Sequence, residues 1–136
     1  MHHEISTERS VTWQEFSSLM DAVGWGGCDE ASFRRSYAAY PLVVHARARD
    51  GTLIGYASAF SDGAFSTMLG EVVVHPSAQG TGIGRALMLR VEREFPGIPV
   101  YVKAMGEARG FFAACGYRPP GATMTVLFKH PPPAGR

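Results

Sequence analysis

A chain of 136 residues is long enough for one domain with a full core and too short for two. Its composition, 46% apolar and 18% charged, excludes a disordered body, and a net charge of +1 argues against broad contact with nucleic acid, because counterion release needs several cations on one face. No apolar run indicates a membrane span or signal peptide, and Cys28 and Cys115 leave at most one pairing, so we expect a cytoplasmic protein without a disulfide framework.

Two short helices come first in the predicted order. Thr12 and Glu15 have the spacing of a capping box, which predicts a helix over residues 13–23. Asp29 is placed to cap a second helix, which runs to Pro41. Three aromatic residues spaced by four and then three share one face of that helix: Phe33, Tyr37 and Tyr40. Two helices in series therefore precede the first predicted strand.

A β-hairpin and a third strand follow the helices. Residues 42–49 have a period of two, which predicts a strand with one face exposed to solvent. Asp50-Gly51 is a two-residue turn signal, and residues 52–60 supply the returning strand. The third strand, over residues 68–74, is apolar without alternation at residues 72–74, which predicts burial on both faces.

The second half of the chain alternates helices and strands. A helix is predicted from apolar positions spaced by four, Ile83, Leu87 and Val91, and residues 95–97 end it. The remaining predicted elements are a strand over residues 98–104, a short helix over residues 107–116 closed by Gly116, and a final strand over residues 123–130. This order predicts one mixed α/β domain around a single sheet, with crossover helices in its later half.

The glycine segment QGTGIGR, residues 79–85, is the strongest candidate site. Gly80, Gly82 and Gly84 lie where a strand gives way to a helix, whose N-terminus offers unpaired N–H groups and partial positive charge to an anion. Glycine at alternate positions lets the backbone approach a phosphate closely. Neither a nucleoside-triphosphate P-loop nor a dinucleotide fingerprint fits, because the required lysine is missing and Arg85 occupies the last glycine position. A tight turn without a ligand stays the plain alternative, and Arg85 either adds charge to the site or points to solvent.

Two motifs together resemble those of a known family. Residues 79–84 fit the pattern Q/R-x-x-G-x-G/A, which is similar to the pyrophosphate-binding motif of the GNAT superfamily of acyl-CoA-dependent N-acyltransferases. The segment GFFAACGYRP resembles the F-Y-x-x-x-G-F signature of the same family, carried here by Phe111, Phe112, Gly116 and Tyr117. The resemblance covers about residues 42–118. It implies one GNAT-like N-acetyltransferase domain over residues 1–130, with a mostly antiparallel central sheet, a splayed strand pair and flanking helices, followed by a flexible tail over residues 131–136.

The resemblance implies acetyl-CoA as the acyl-donor cosubstrate and no metal. The amides of its pantetheine arm would bond to an exposed strand edge, and its pyrophosphate would lie on the amides of the glycine turn. A backbone N–H near Val73 would stabilise the oxyanion that develops on the thioester. The cofactor-binding residues implied in this way are Val72, Val73, Val74, Gln79, Gly80, Thr81, Gly82, Ile83, Gly84, Arg85 and Phe112.

The implied reaction is direct attack of a primary amine on the acetyl carbonyl. An alkylammonium has a pKa of about 10, so a base must take its proton. Glu71 is our first choice, against the plain reading of an exposed carboxylate at a strand end, and His75 is the second, although a residue before proline often has only a structural task. Phe112 stands where family members commonly have a proton-donating tyrosine. The fallback donors, each of which also fits core packing, are Tyr117, Tyr101 and Cys115.

The acceptor is expected to be the amine of a small molecule or peptide. Trp25 and Tyr56 are the candidate substrate contacts, although a core or loop anchor is the favoured reading of Trp25. The alternative function is a non-catalytic acyl-CoA-binding sensor or regulatory domain, which Phe112 makes less remote. An exposed final strand would suit a homodimer, and neither nucleic acid nor a membrane is expected as a partner.

Overall fold

The computed structural model describes residues 3–133, which fall into two units, Met1–Lys103 and Ala104–Arg136. The first unit contains β1 His3–Ser6, α1 Trp13–Ala22, α2 Glu30–Ala39, β2 Leu42–Ala48, β3 Leu53–Ser61, β4 Thr67–Val74, a 3₁₀ turn Pro76–Ala78, α3 Ile83–Glu94 and β5 Val100–Tyr101; the second contains α4 Ala108–Ala114. None of the helices within residues 3–133 has both the length and the apolar character that crossing a bilayer requires. The single domain over residues 1–130 stays a prediction, and residues 134–136 of the predicted tail lie outside the described residues.

Both amino-terminal helices begin at the predicted capping residues. The Thr12 hydroxyl accepts a hydrogen bond from the Glu15 N–H at 3.1 Å, and the Glu15 carboxylate accepts one from the Thr12 N–H at 3.0 Å, which completes a capping box. At the start of α2 the Asp29 carboxylate accepts a hydrogen bond from the Ser32 N–H at 2.9 Å. The two predicted helices are therefore confirmed, and each ends slightly earlier than expected.

The sheet has five strands in the order β1-β2-β3-β4-β5, antiparallel throughout except for the parallel pair β4–β5. The predicted mixed and mostly antiparallel sheet is confirmed, as is the turn at Asp50, whose carboxylate accepts a hydrogen bond from the Thr52 N–H at 3.0 Å. β1 adds a strand that we did not predict. Its HEIS segment has only one large apolar residue, Ile5, and its backbone pairing with β2 makes it a strand.

The prediction that β2 has one solvent-exposed face is wrong. Residues 42–46 are all buried, including His45, because helices cover both faces of the sheet there. On one face Val43 joins a core cluster that includes Tyr56 of β3 and Phe16 of α1. The alternating pattern of β2 therefore reflects two differently covered faces.

α3 covers the opposite face of the sheet. Ile83, Leu87 and Val91 are fully buried, so the predicted spacing of four is confirmed. A Cβ atom on Gly55 of β3 would lie 3.1 Å from Ile83 Cγ2 and 3.1 Å from Leu87 Cδ1. A glycine in a strand often marks such a close approach, and here it lets the first turn of α3 lie directly on β3.

β4 has a paired neighbour on both sides only at its start. β5 pairs with Thr67 and Met68 and ends at once, so the predicted seven-residue strand is reduced to two residues. Along residues 69–74, the described strands of this unit provide β3 as the partner of β4 and nothing on the other side. The predicted burial of residues 72–74 on both faces is wrong, since only Val73 is buried and the valines beside it are half-buried. The open edge explains this difference.

The second unit contains the predicted short helix but no final strand. α4 ends at the C-cap Cys115, and Gly116 follows with a φ of 92°, as expected for glycine after a last turn. The predicted strand over residues 123–130 is wrong, because these residues are exposed and carry no strand pairing in the part of the chain described. Apolar and β-branched composition suggested a strand there, but β propensity depends on a partner that the described residues do not supply.

Candidate active site

The glycine turn joins the open edge of β4 to the beginning of α3. Gly80 and Gly82 have φ values of 79° and 89°, in the left-handed region that favours glycine, and a Cβ atom at either position would meet nothing within 4 Å. Gly82 is the N-cap of α3, and no side chain caps this helix. The approach to the N-terminus of α3 is therefore clear of side chains on the turn, which suits a phosphate.

Side chains around the turn hold its backbone in place. Gln79 Nε2 donates to the Val74 carbonyl at 3.1 Å, and the Thr81 hydroxyl donates to the Ala78 carbonyl. His75 Nδ1 accepts a hydrogen bond from the Ser77 N–H at 3.1 Å and caps the 3₁₀ turn. His75 thus has the structural task expected of a residue before proline, and one ring nitrogen is committed to it.

The other cofactor-binding predictions fall along the same path. Ile83 and Gly84 are buried in the first turn of α3, and the Arg85 side chain is exposed. Of the residues predicted to bind pantetheine, Val72 and Val74 present backbone groups to the open edge of β4 just before the turn, whereas those of Val73 face β3. In the first unit the structure therefore brings all ten predicted cofactor residues into one continuous stretch, from β4 through the turn into α3.

Glu71 lies on β4 beside a shift in strand register. Ala57 pairs with Val72 whereas Ala59 pairs with Leu69, so β4 contains an extra residue opposite Ser58. A bulge of this kind redirects side chains and is common next to active sites. The Ser58 hydroxyl donates to Glu71 Oε2 at 2.5 Å and accepts a hydrogen bond from the Glu71 N–H at 2.9 Å. The Glu71 carboxylate is half-buried and fixed by this buried serine.

Tyr40, the residue that follows α2, completes what we call the Glu71 cluster: Tyr40, Ser58 and Glu71. The Tyr40 hydroxyl lies beside Ser58 Oγ, next to Gly70, and close to the Glu71 carboxylate. Burial, followed by the negative charge of Glu71, raises the pKa of Tyr40 above its usual value, so this hydroxyl keeps its proton. The Tyr40 ring packs on Phe60, with centroids 4.3 Å apart.

The two predicted substrate contacts lie in very different surroundings. Trp25 is 61% exposed on the α1–α2 loop, so it is not a core anchor. Tyr56 is only 2% exposed and packs edge-on against Phe16, with centroids 4.9 Å apart. Burial raises the pKa of Tyr56, and the nearby Glu71 charge adds to the effect. The Tyr56 side chain therefore has a packing role, while its part in substrate binding stays a prediction.

Phe112 and Tyr117 belong to the second unit. Phe112 is buried in α4 and makes edge-on contacts with Phe111 and Tyr117, at centroid distances of 4.9 and 5.5 Å. The Tyr117 N–H donates to the Phe112 carbonyl at 2.9 Å. The three aromatic residues thus form one small cluster around the carboxyl end of α4.

Tyr40 and Ser58 were not predicted as members of the site. Tyr40 was assigned to a helix face, and Ser58 lies within an apolar strand sequence, YASAF. A serine in the middle of a buried strand needs a hydrogen-bond partner, and that was the available signal. The register shift that supplies Glu71 as the partner has no recognisable sequence pattern.

Comparison with known proteins gives a consistent result. A family model described as an acetyltransferase (GNAT) domain matches residues 33–119. Serotonin N-acetyltransferase 2, chloroplastic, of Oryza sativa subsp. japonica is 37% identical over 121 residues, which are 82% of this chain and 60% of that protein. An uncharacterized N-acetyltransferase, ycf52, of Porphyra purpurea is 26% identical over 87 residues, or 62% of this chain and 50% of that protein. The chain spans about half the length of the first such relatives.

Solved structures share the fold at low sequence identity. A GNAT-family acetyltransferase from Streptococcus pneumoniae TIGR4 superposes with a TM-score of 0.74 at 19% identity, covering 94% of this chain and 98% of that one. At this identity the likeness concerns the fold alone. It agrees with the predicted mixed sheet flanked by helices.

Proposed function

This chain belongs to the GNAT family of acetyltransferases, and on that premise we propose that it transfers an acetyl group from acetyl-CoA to a primary amine, which attacks directly in a ternary complex. The observation that carries the proposal is the continuity of an open strand edge with a glycine turn and a helix start that no side chain caps. A linear molecule with amides at one end and a pyrophosphate at the other matches these features in order.

The residues present fit acetyl-CoA. Pantetheine amides would hydrogen-bond to the β4 edge at Val72 and Val74, and the pyrophosphate would lie on the N–H groups of residues 79–85. When bound, acetyl-CoA supplies the thioester whose carbonyl the amine attacks. The Val73 N–H, which we expected at the oxyanion, points to β3 instead, because the His75 N–H donates to Ile54 and alternate N–H groups of a strand point the same way. We propose no metal.

Glu71 is the proposed base. An amine with a pKa of about 10 is almost wholly protonated near neutral pH, so its proton must be removed before attack. Glu71 is partly accessible, is held by Ser58 and lies just before the proposed pantetheine segment. His75 is a weaker candidate, because its Nδ1 already accepts the Ser77 N–H. The carboxylate therefore takes the proton, directly or through water.

The departing thiolate needs little assistance. Phe112 has no proton to give, and Tyr117 stays the proposed donor among the second-unit residues. A thiol with a pKa of about 8.5 is a good leaving group, so departure as thiolate or protonation by water costs little. The missing hydroxyl at Phe112 is compatible with catalysis for this reason.

An apolar surface beside the Glu71 cluster supports an acceptor amine that carries an aromatic group. Phe60 is 46% exposed and packs on Tyr40, and Met68, opposite Phe60 in the strand register, is 50% exposed. An aromatic group lying on these side chains would leave its amine near the Glu71 carboxylate. The rice relative is named for serotonin, an amine of this kind.

A thiol-release assay tests the proposal. With acetyl-CoA, we expect turnover for arylalkylamines such as tryptamine and phenylethylamine, and slower turnover for a polyamine, an amino sugar and a peptide amine. Coenzyme A at about 100 times its dissociation constant should stabilise the fold by about 2.7 kcal/mol, whereas ATP and NAD should not. Stabilisation without thiol release from any amine would instead indicate the sensor alternative.

Location and assembly stay predictions. The cytoplasmic expectation has no structural test, and the rice relative carries the word chloroplastic in its name. The expectation of a homodimer relied on an exposed final strand, which the described residues do not contain. Sedimentation of the purified chain measures its assembly directly.

A further inference from the structure

The Glu71 carboxylate is held by a buried side chain, unlike an ordinary surface carboxylate. A single hydroxyl, that of Ser58, bonds both the backbone N–H and the carboxylate of Glu71, at 2.9 and 2.5 Å. We infer that Ser58 and Tyr40 are positioning residues that hold the Glu71 carboxylate in one orientation for proton transfer. This inference rests on the proposed role of Glu71 as the base.

Ser58 fixes the rotamer of Glu71 from a rigid site. Ser58 is fully buried on β3, so its own hydroxyl has little freedom. Its two bonds to the same residue close a small ring that includes the Glu71 side chain. A free glutamate side chain would have to lose rotamer entropy at each turnover, whereas one held in advance does not.

Tyr40 holds the carboxylate from the side of α2. Its hydroxyl lies next to Ser58 Oγ, which binds the Glu71 carboxylate, and burial followed by the negative charge of Glu71 raises the pKa of Tyr40, so this hydroxyl stays protonated. Gly70 makes room for this contact: a Cβ atom there would lie 2.1 Å from the Tyr40 hydroxyl and 2.6 Å from Ser58 Oγ. Because real Cβ atoms do not come so close, any side chain at position 70 would displace the Tyr40 hydroxyl.

A double-mutant cycle separates positioning from general structural support. Glu71→Gln should lower kcat about 100-fold, as expected for loss of a general base. Ser58→Ala should lower kcat about tenfold without changing the KM for acetyl-CoA, because misplacing a catalytic group slows the chemical step. In the Glu71→Gln background, Ser58→Ala should have no further effect, since a positioning residue acts only through the group that it holds. Equal losses in both backgrounds would overturn the inference.

The separation of kcat from KM supplies a second readout. A Glu71 side chain that loses a neighbour is freer to turn, so kcat should fall in Ser58→Ala and in Tyr40→Phe while the KM for acetyl-CoA stays unchanged. Matched controls are Ser61→Ala on the same strand and Tyr37→Phe one turn earlier on α2. Both remove hydrogen bonds outside the cluster and should leave kcat unchanged. If Ser58→Ala does not fold, Tyr40→Phe, which keeps the ring, carries the test.

A measurement without substrate distinguishes this inference from the proposed function. Crystal structures of the wild-type protein, Ser58→Ala and Tyr40→Phe compare the orientation of the Glu71 carboxylate. We expect this carboxylate to turn in both variants, and an unchanged orientation would refute the cluster whatever the activity. A wild-type rate in Glu71→Gln would instead refute Glu71 as the base and leave the hydrogen bonding intact.

Discussion

β2 and β4 both lie inside the sheet and both are rich in valine, yet they are used differently. β2 is paired with β3 over residues 42–47 and with β1 over residues 45–48, and its residues 42–46 are buried. β4 is paired with β3 throughout but with β5 only at its first two residues. Composition predicted the opposite, an exposed face for β2 and complete burial for the end of β4. Backbone pairing, rather than side-chain polarity, therefore distinguishes a structural strand from one available to a ligand.

The largest expected effect comes from the turn at the end of β4. Gly82→Ala places a methyl group on the proposed phosphate path in a residue with a φ of 89°. We expect the dissociation constant for coenzyme A to rise about 10- to 100-fold, the equivalent of one hydrogen bond to a charged group. Isothermal titration calorimetry measures this change.

Gly51→Ala at the β2–β3 turn is the matched control. Its φ is 93° and its Cβ position is equally free of neighbours, so it introduces the same backbone strain far from the glycine turn. It should lower the melting temperature as much as Gly82→Ala while leaving coenzyme A affinity unchanged. Similar losses of affinity in both variants would show that strain, and not phosphate contact, explains the result.

A core substitution compares the two strands directly. Val44→Ala removes a side chain with no exposed surface, so we expect the free energy of unfolding to fall by about 2 kcal/mol. Val74→Ala, at the half-buried end of β4, should cost about half as much or less. Urea denaturation measures both, and equal losses would contradict the difference in burial.

The pH dependence of stability tests how β2 is tied to α1. Hydrogen bonds from Arg47, at the end of β2, lower the pKa of Glu15 to about 2. The positive charge of Arg47 adds to this effect, and partial desolvation of Glu15 opposes it. A group whose pKa is depressed on folding stabilises the protein above its unfolded pKa, and that stability is lost as the pH falls from about 4.5 to about 2. Because both side chains are partly exposed, we expect a loss of roughly 1 kcal/mol over this window. Melting temperatures of wild type and Glu15→Gln should converge at low pH.

The smallest effect is expected at the residue that follows β4. His75→Asn keeps a side-chain acceptor for the Ser77 N–H but removes the titratable ring. If Glu71 is the base, kcat should stay within about twofold of wild type and the pH profile should keep its shape. A fall in kcat comparable to that of Glu71→Gln would assign the proton transfer to His75 instead. Steady-state rates from pH 6 to pH 9 distinguish the two outcomes.

Interactions within a single helix or turn predicted much of this fold from the sequence. Pairing between distant segments could not be predicted in this way. The capping box at Thr12, the Asp50-Gly51 turn and the spacing of Ile83, Leu87 and Val91 are interactions within one element, so they are visible in the sequence. Strands depend on partners distant in the chain, and for that reason β1 was missed and the strand over residues 123–130 was predicted wrongly.

The candidate site also has one part that is contiguous in the sequence and one part that is built from distant residues. The glycine turn is contiguous along the chain, so its glycines and the motif around them predict a phosphate site from the sequence, and that site stays a prediction. The Glu71 cluster joins β3, β4 and the residue that follows α2, and Glu71 meets Ser58 where β4 has an extra residue. No spacing rule relates positions that far apart.

Gly55 determines how closely α3 packs on β3. With a methyl group at this position, Ile83 and Leu87 would have to retreat from β3 by a few tenths of an ångström. Ile83 is the first residue of α3, so that retreat would lift the dipole of the helix away from the strand edge it adjoins. A hydrogen atom at Gly55 therefore keeps the first turn of α3, where we propose that the pyrophosphate binds, close to the strand that precedes it.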